Sequence, residues 1–369
     1  MLRIRDIKTI PIQAKLNKVY GGSFYRISHR CTTITKVITE DGIEGISYNG
    51  DEDGIEVIDE AIHQELKPRL LGRDILQLEP CREAMMPLTK NIRRDRRLSL
   101  VAIACVECAL WDAFGKFVGL PLFKIWGGYR TELPIIAIAG YYEEGKTLAD
   151  YGREMECLRK MDLAGCKFKV GGRSPEEDAR RIKEARAGGG EDFILMADAN
   201  QGWSVDEAVA FARLTESLNL RWLEEPCKWI NDRLDMATVR MRSRVPICAG
   251  QSELGYAGCR SLMMDRAIDV CNFDGSWSGG PGEWLKVAKL AECFGVQMAH
   301  HEEPQISAHL LGAVPNGTYV ECFHPDREPL FWELIANRPA LKNGMYRIPD
   351  GPGWGLELDA DVIERYRAR

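Results

Sequence analysis

AGCKFKVGGRSPEEDARRIKEARAGGGEDFILMADAN, residues 164–200, carries the pattern on which the fold turns. It opens on a short apolar run, KFKVGG, that ends in paired glycines. It passes through the amphipathic segment SPEEDARRIKEARAG and closes on a second apolar run, FILMADAN, with a polar end. Ser174 with Glu177, and Ser204 with Glu207 in the following SVDEAVAFARLTESLN, have capping-box spacing. Strand, helix and strand at these lengths predict a βαβ unit.

The same unit recurs on both sides. From Pro134 the apolar runs are PIIAIAG, KFKVGG, FILMADAN, RWLEEP, VPICAGQSE, IDVCNFD, VQMAHHEEP and YVECF, eight in all, with helical stretches such as GEWLKVAKLAECFG and ISAHLLGAV between the later ones. Eight alternations predict an α/β fold, a modified TIM (β/α) barrel over 131–330. Residues 1–130 begin with strand-like IRDIKTIPIQ and CTTITKVITEDGIEGISY and turn helical from Glu56, which predicts an α+β N-terminal capping domain. Between those strands KLNKVYGGSFYRISHR is polar and glycine-bearing and reads as a mobile loop. The last stretch, 331–369, with PDGPGWGLEL, is expected to pack back on the first domain.

The chain of 369 residues is 45% hydrophobic and 28% charged, with formal charge −6. That suffices for a large core and offers no basic excess for phosphates, which argues against nucleic acid and anionic membrane as partners. Twelve scattered cysteines and a start, MLRIRDIKTIPIQ, without the apolar core of a secretory leader predict reduced thiols and a cytoplasmic location. No apolar run is expected to be long enough to cross a bilayer. The CxxC of Cys105 and Cys108 lies in the densely apolar LSLVAIACVECALWDAFGKF, and no second CxxC completes a zinc site. Both cysteines are expected to be core residues.

In such a barrel the active site is assembled from strand C-termini. Reading in order, strand two offers Lys167 and Lys169, strand three Asp198 and Asn200, strand four Glu224 and Glu225, and strand five Gln251 and Glu253. Strand six offers Asp274, seven His300 and His301, and eight Glu321. Any one of these alone is ordinarily solvated, but their convergence on one face is not explained by solvation. Carboxylates at consecutive strand ends repel unless a cation lies among them, and hard oxygen ligands select Mg²⁺. Asp198, Glu224 and a strand-five residue are therefore the candidate ligands. By the period of two, Lys167 and Lys169 project to the same side and Phe168 turns out toward the helices. Each lysine, beside a second cation and a metal, is expected to have a lowered pKa and to serve as a base. Asp274 would fix the tautomer of His301, while His300 faces outward by alternation. Strands two and seven lie about 135° apart around an eight-strand circle, so Lys169 and His301 would meet opposite faces of one substrate.

These motifs resemble the mandelate racemase branch of the enolase superfamily. The likeness covers SLVAIACVECALWDAFGKFVGLPLFKIWGG, KFK, DAN, EEP, the GG after Asp274, HHEEPQISAHLL and Glu321. It implies a capping domain over a modified barrel, and removal of the proton α to a carboxylate to give an enediolate held by Mg²⁺. By matching motif, Asp198 and Glu224 would be metal ligands, Lys169 a base with Lys167 beside it, and Asp274 with His301 the second acid/base. Glu321 would contact the substrate carboxylate or the enediolate as a protonated acid. A homo-oligomer, often an octamer, is also implied. One departure stands out: where the family places a glutamate after a glycine on strand five, this chain has Gln251, followed by Glu253. Either Gln251 supplies an amide oxygen, with one charge fewer, or Glu253 reaches in from the same side.

Return of the proton to the other face would racemise or epimerise a 2-hydroxy acid. Protonation of a β-hydroxyl would expel water and yield a 2-keto-3-deoxy acid. The polar KLNKVYGGSFYRISHR, with Tyr20 and Arg26 among its side chains, together with Asn200, favours a small hydroxy-carboxylate, a sugar acid, and hence dehydration. Two other classes compete. A Schiff-base aldolase would also use a barrel lysine but needs no line of carboxylates. A non-catalytic ligand-binding relative is suggested only by Gln251.

Overall fold

The computed structural model describes residues 2–49 and 53–368. Alternating apolar residues build an antiparallel meander of β1 (Ile4–Gly21), β2 (Arg26–Thr39) and β3 (Glu44–Asn49). The polar stretch expected as a loop is mostly strand. Tyr20 pairs with Ile27 and Gly21 with Arg26, so only residues 22–25 turn the chain. The physical reason is apolar: Leu16 and Tyr20 on this hairpin pack against Ile138, Tyr141 and Phe323 of the second domain, which ties the extended arms down.

The 23-residue helix Arg96–Val118 packs on this sheet, capped at its start by the Asp95 side chain on the Arg97 N–H and ended by Gly119 at φ 72°. It is long and apolar enough to span a membrane, contrary to the expectation that no run is, but most of it is buried inside the fold. Cys105 and Cys108 lie on its buried surface, and all twelve cysteines are free thiols. Gly45 of β3 admits the helix: a Cβ there would stand 2.1 Å from the Ala109 carbonyl oxygen.

The second domain is a parallel sheet of β4 (Glu132–Ala139), β5 (Gly165–Lys169), β6 (Ile194–Asp198), β7 (Leu223–Glu224), β8 (Ile247–Ala249), β9 (Val270–Cys271), β10 (Gln297–Met298) and β11 (Val320–Phe323). The spatial order is β10-β9-β8-β7-β6-β5-β4-β11, and a parallel bridge from Met298 to Gly317, just ahead of β11, brings the two edges together. Ile136, Met196, Trp222, Cys248, Val270 and Ala299 form an interior cluster. Phe168 faces the other way, 5.4 Å ring to ring from Tyr151 on the helix Leu148–Lys160. The fold is thus a modified TIM barrel with a capping domain.

The C-terminal segment touches both parts. The strand β12 (Met345–Arg347) runs antiparallel to the start of β4. Trp354 donates its indole N–H to the Cys108 carbonyl at 3.0 Å, and its backbone N–H to Asp112 at 2.8 Å.

Candidate active site

Strand register decides which side chains meet. Lys169 pairs with Asp198 across β5 and β6, and Asp198 with Glu224 across β6 and β7, so the three lie side by side at the C-terminal ends. Lys169 Nζ stands 2.6 Å from Asp198 Oδ2 and donates to Asn200 Oδ1 at 3.0 Å. Two residues deeper in the barrel, Lys167 Nζ bridges Glu224 Oε1 and Glu321 Oε2, each at 2.8 Å. The Trp222 indole donates to the other oxygen of Glu224 at 3.0 Å. All five ionisable groups are buried.

This geometry reverses one expectation. Burial opposes the ammonium of Lys167, but Glu224, Glu321 and Asp198 outweigh it, and the pKa is raised. The same balance, led by Asp198, raises Lys169 well above its ordinary value. Contact with an acid at 2.6–2.8 Å outweighs the repulsion between the two lysines. These contacts also remove support from the aldolase reading, which needs a lysine held neutral in a desolvated pocket.

On the other flank His301 Nδ1 lies 3.0 Å from Asp274 Oδ2. Asp274 Oδ1 is already occupied, accepting from the Ser276 N–H at 2.8 Å, the Ser276 hydroxyl at 2.6 Å and the Trp277 N–H at 3.1 Å. Burial works against its charge, yet His300, His301 and these donors hold the carboxyl down at about 2. An ionised Asp274 only accepts, so His301 carries a proton on Nδ1, while its Nε2 lies 3.3 Å from Glu302 Oε1. Burial lowers the His301 pKa, and Glu302 with Asp274 more than restores it. His300 is buried and turned away from the cleft: its Nδ1 donates to the His301 carbonyl at 2.8 Å, and its Nε2 accepts from the Gly275 N–H at 3.1 Å.

Lys169, Asn200, Gln251 and His301 all line one cleft of about 340 Å³ at the strand ends, beneath the capping domain. Glu253 is not among them. β8 ends at Ala249 and Gly250 follows at φ 145°, so alternation stops there, and Glu253 lines a separate cleft with Trp229 and Asp232. Tyr20 and Arg26 also lie outside. The Tyr20 hydroxyl donates to the Arg327 carbonyl at 2.9 Å, and Arg26 is exposed. A register shift between Lys15 and Tyr20 resets which hairpin residues face inward, and Tyr25, Ile27 and His29 line the cleft instead. Glu225, expected at the end of strand four, also lines it, as do Arg97, Trp277 and Glu302, which were not singled out by sequence; the Trp277 ring lies tilted at 47° against His301, centroids 4.7 Å apart. Asn200, Gln201, Glu225, Glu302 and Glu303, all at strand ends, hold positive φ of 35–64°. Non-glycine residues there cost about 1–3 kcal/mol each, a strain that collects at functional sites.

Residues 150–362 match the family model described as enolase C-terminal domain-like. Residues 16–127 match the N-terminal domain of mandelate racemase / muconate lactonizing enzyme. The chain belongs to the mandelate racemase / muconate lactonizing enzyme branch of the enolase superfamily. It is 31% identical to an arabinonate dehydratase of Saccharolobus solfataricus over 91% of this chain and 90% of that protein. It is 28% identical to a D-galactarolactone cycloisomerase of Agrobacterium fabrum over 99% of each. A crystal structure of a mandelate racemase/muconate lactonizing enzyme from a marine actinobacterium in complex with magnesium superposes with TM-score 0.94 at 50% identity, covering both chains fully. This superfamily member is an enzyme, a lyase or a racemase, and the non-catalytic reading is set aside.

Proposed function

We propose that this enzyme removes the proton α to the carboxylate of a sugar acid, an aldonate or aldarate, and expels the β-hydroxyl as water to leave a 2-keto-3-deoxy acid. The observation that carries this reading is the convergence of Lys169 and the Asp274-oriented His301 on one cleft, from β5 and from the loop after β10. Relatives named for an arabinonate and a galactarolactone support the sugar-acid class.

The donor set fits Mg²⁺. Asp198, Glu224 and Glu321 crowd together against Lys167 and Lys169, burial with the neighbouring acids pushes the Glu224 carboxyl up to about 8 despite Lys167, and Glu321 Oε1 is buried without a hydrogen-bond partner. Asp198, Glu224 and the amide oxygen of Gln251 would hold the ion, since Glu253 faces another cleft. Bound there, Mg²⁺ would supply Lewis-acid stabilisation of the second negative charge that deprotonation places on the carboxyl oxygens. Lys167, already held beside Glu321, adds a positive charge to the same side. Lys169 Nζ and His301 Nε2 are the two proton-carrying atoms. Asp274 holds a proton on His301 Nδ1, so Nε2, which Glu302 Oε1 approaches to 3.3 Å, is the atom that takes a proton from carbon or passes one to a departing hydroxyl.

Two proton carriers also suit epimerisation, which is the second reading. A library of sugar acids, incubated in D₂O with Mg²⁺, separates the two. Release of a 2-keto acid, abolished by EDTA, supports dehydration. Deuterium at the α carbon without loss of water moves the assignment to an epimerase. No exchange with any acid would overturn both.

A further inference from the structure

The chain from Asp274 to Gly280 does two things for His301. Its Ser276 and Trp277 donors occupy Asp274 Oδ1, leaving Oδ2 to the imidazole, and the Trp277 ring packs on the imidazole face. Barrel groups hold part of this segment, with the Gly275 N–H on His300 and the Ser278 hydroxyl on the Glu253 carbonyl, and the capping domain adds two arginines, Arg97 on the Ser278 hydroxyl at 3.1 Å and Arg82 on Gly279. Arg82, on the helix Leu78–Met85, donates through Nη1 to the Gly279 carbonyl at 2.7 Å and to both oxygens of Glu107 at 3.2 and 3.3 Å. Its Nη2 donates to Glu283, which heads the barrel helix Pro281–Phe294 and whose other oxygen accepts from the Tyr256 N–H at 2.9 Å. Arg82 and Glu107 are on the cap; Glu283 and the Gly279 carbonyl are on the barrel.

The segment is shaped to admit this network. Gly279 and Gly280 sit at φ 86° and 95°, and a Cβ on Gly280 would fall 1.9 Å from Glu107 Oε2. Arg82, Glu107 and Glu283 are all buried, so the network contributes nothing to solubility and its desolvation is not offset by water. A guanidinium fork with four acceptors in two domains fixes a direction as well as a distance, which a lysine cannot reproduce in full.

We propose that Arg82 is a positioning residue for proton transfer at His301: it locks the 274–280 segment to the capping domain and so holds Asp274 and Trp277 against the imidazole. The proposal rests on the reading of His301 as a proton carrier, and it makes a statement that reading does not. Loss of Arg82 should damage one face of the reaction only, because Lys169 is oriented by Asp198 at the end of β6 and Asn200 just beyond it, not by this network.

The test uses Arg82→Met and Arg82→Lys in the full chain with Mg²⁺, and a pair of C2-epimeric sugar acids followed for α-deuterium uptake from D₂O. Met is expected to slow exchange of the epimer that uses His301 on the order of 10- to 100-fold, while that of the epimer served by Lys169 changes less than about twofold. Lys should recover part of the loss, and it carries the comparison if the Met variant does not fold. An equal fall for both epimers, tracking the melting temperature, would mark a merely structural role and overturn the proposal. Should the wild-type enzyme exchange no sugar acid, the proposed function fails by itself. A crystal structure of the folded variant then decides: displaced Trp277 with a lengthened His301–Asp274 contact supports Arg82 as the holder, and an unmoved pair at 3.0 Å refutes it.

Discussion

Asp274 offers His301 one oxygen and gives the other to three donors, and this asymmetry sets what an amide would do there. In Asp274→Asn the amide oxygen would stay with Ser276 and Trp277, so the NH₂ would face His301 Nδ1 and drive the ring proton to Nε2. Proton transfer at that atom should fall on the order of 10²- to 10⁴-fold with little change in KM. Exchange kinetics at saturating substrate check this, and a drop of less than about threefold would contradict it. Gln251→Glu restores a charge at the strand-five position and should tighten Mg²⁺ binding by about tenfold or more, read by titration calorimetry. Unchanged affinity would place Gln251 outside the metal's reach. At this scale KFK was legible because it lies on β5, where parity tells which residues share a side, and DAN, EEP and HH because each sits at or just beyond the C-terminal end of a strand. Glu253 and Tyr20 were misread for the same reason: Gly250 ends the parity of β8, and a register shift interrupts that of the hairpin. The direction of the lysine shifts was out of reach as well, since it depends on distances of 2.6–2.8 Å to acids remote in sequence.

Among the elements, the helices announced themselves most clearly. Ser174 accepts from the Glu177 N–H and Ser204 from the Glu207 N–H, each with the glutamate returning to the cap, as the four-residue spacings predict. Ser204→Ala should cost about 1 kcal/mol, a fall of a few degrees in melting temperature at most, with no change in exchange rate. The close seat of Arg96–Val118 on β3 left no comparable mark. Gly45 looks like any turn glycine in sequence, and only the packed helix reveals that a methyl there meets backbone. The hairpin over 20–29 was hidden too, because polar residues and glycines signal a turn, while its extension is set by barrel residues more than a hundred positions away.

For the molecule as a whole, His309 records how the parts are joined. It accepts the Phe123 N–H on Nδ1, donates Nε2–H to the Trp354 carbonyl, and is held down at about 3 by burial, against that hydrogen bond. An unfolded histidine takes up its proton near pH 6.5, so between about pH 6.5 and 3 the unfolded state binds more protons and stability is lost as the pH is lowered. The slope approaches about 1.4 kcal/mol per pH unit for one such group. Melting temperatures from pH 7 to 4.5 should therefore decline less steeply in His309→Asn than in the wild type, and parallel declines would contradict this. The eight strand-helix alternations made the barrel legible as a whole, because its repeat is local; the way its ends are tied was not.

That tie has a bearing on how the protein is made. β12 completes the first barrel strand and Trp354 closes over the long cap helix, so a ribosome that has emitted two hundred residues of cap and early barrel has finished neither. Nascent chains halted near residue 340 should remain open to protease in both halves, and gain resistance together once the segment that carries β12 and Trp354 emerges from the exit tunnel. Cap and early barrel must therefore both be sheltered while the ribosome is still making the segment that ties them.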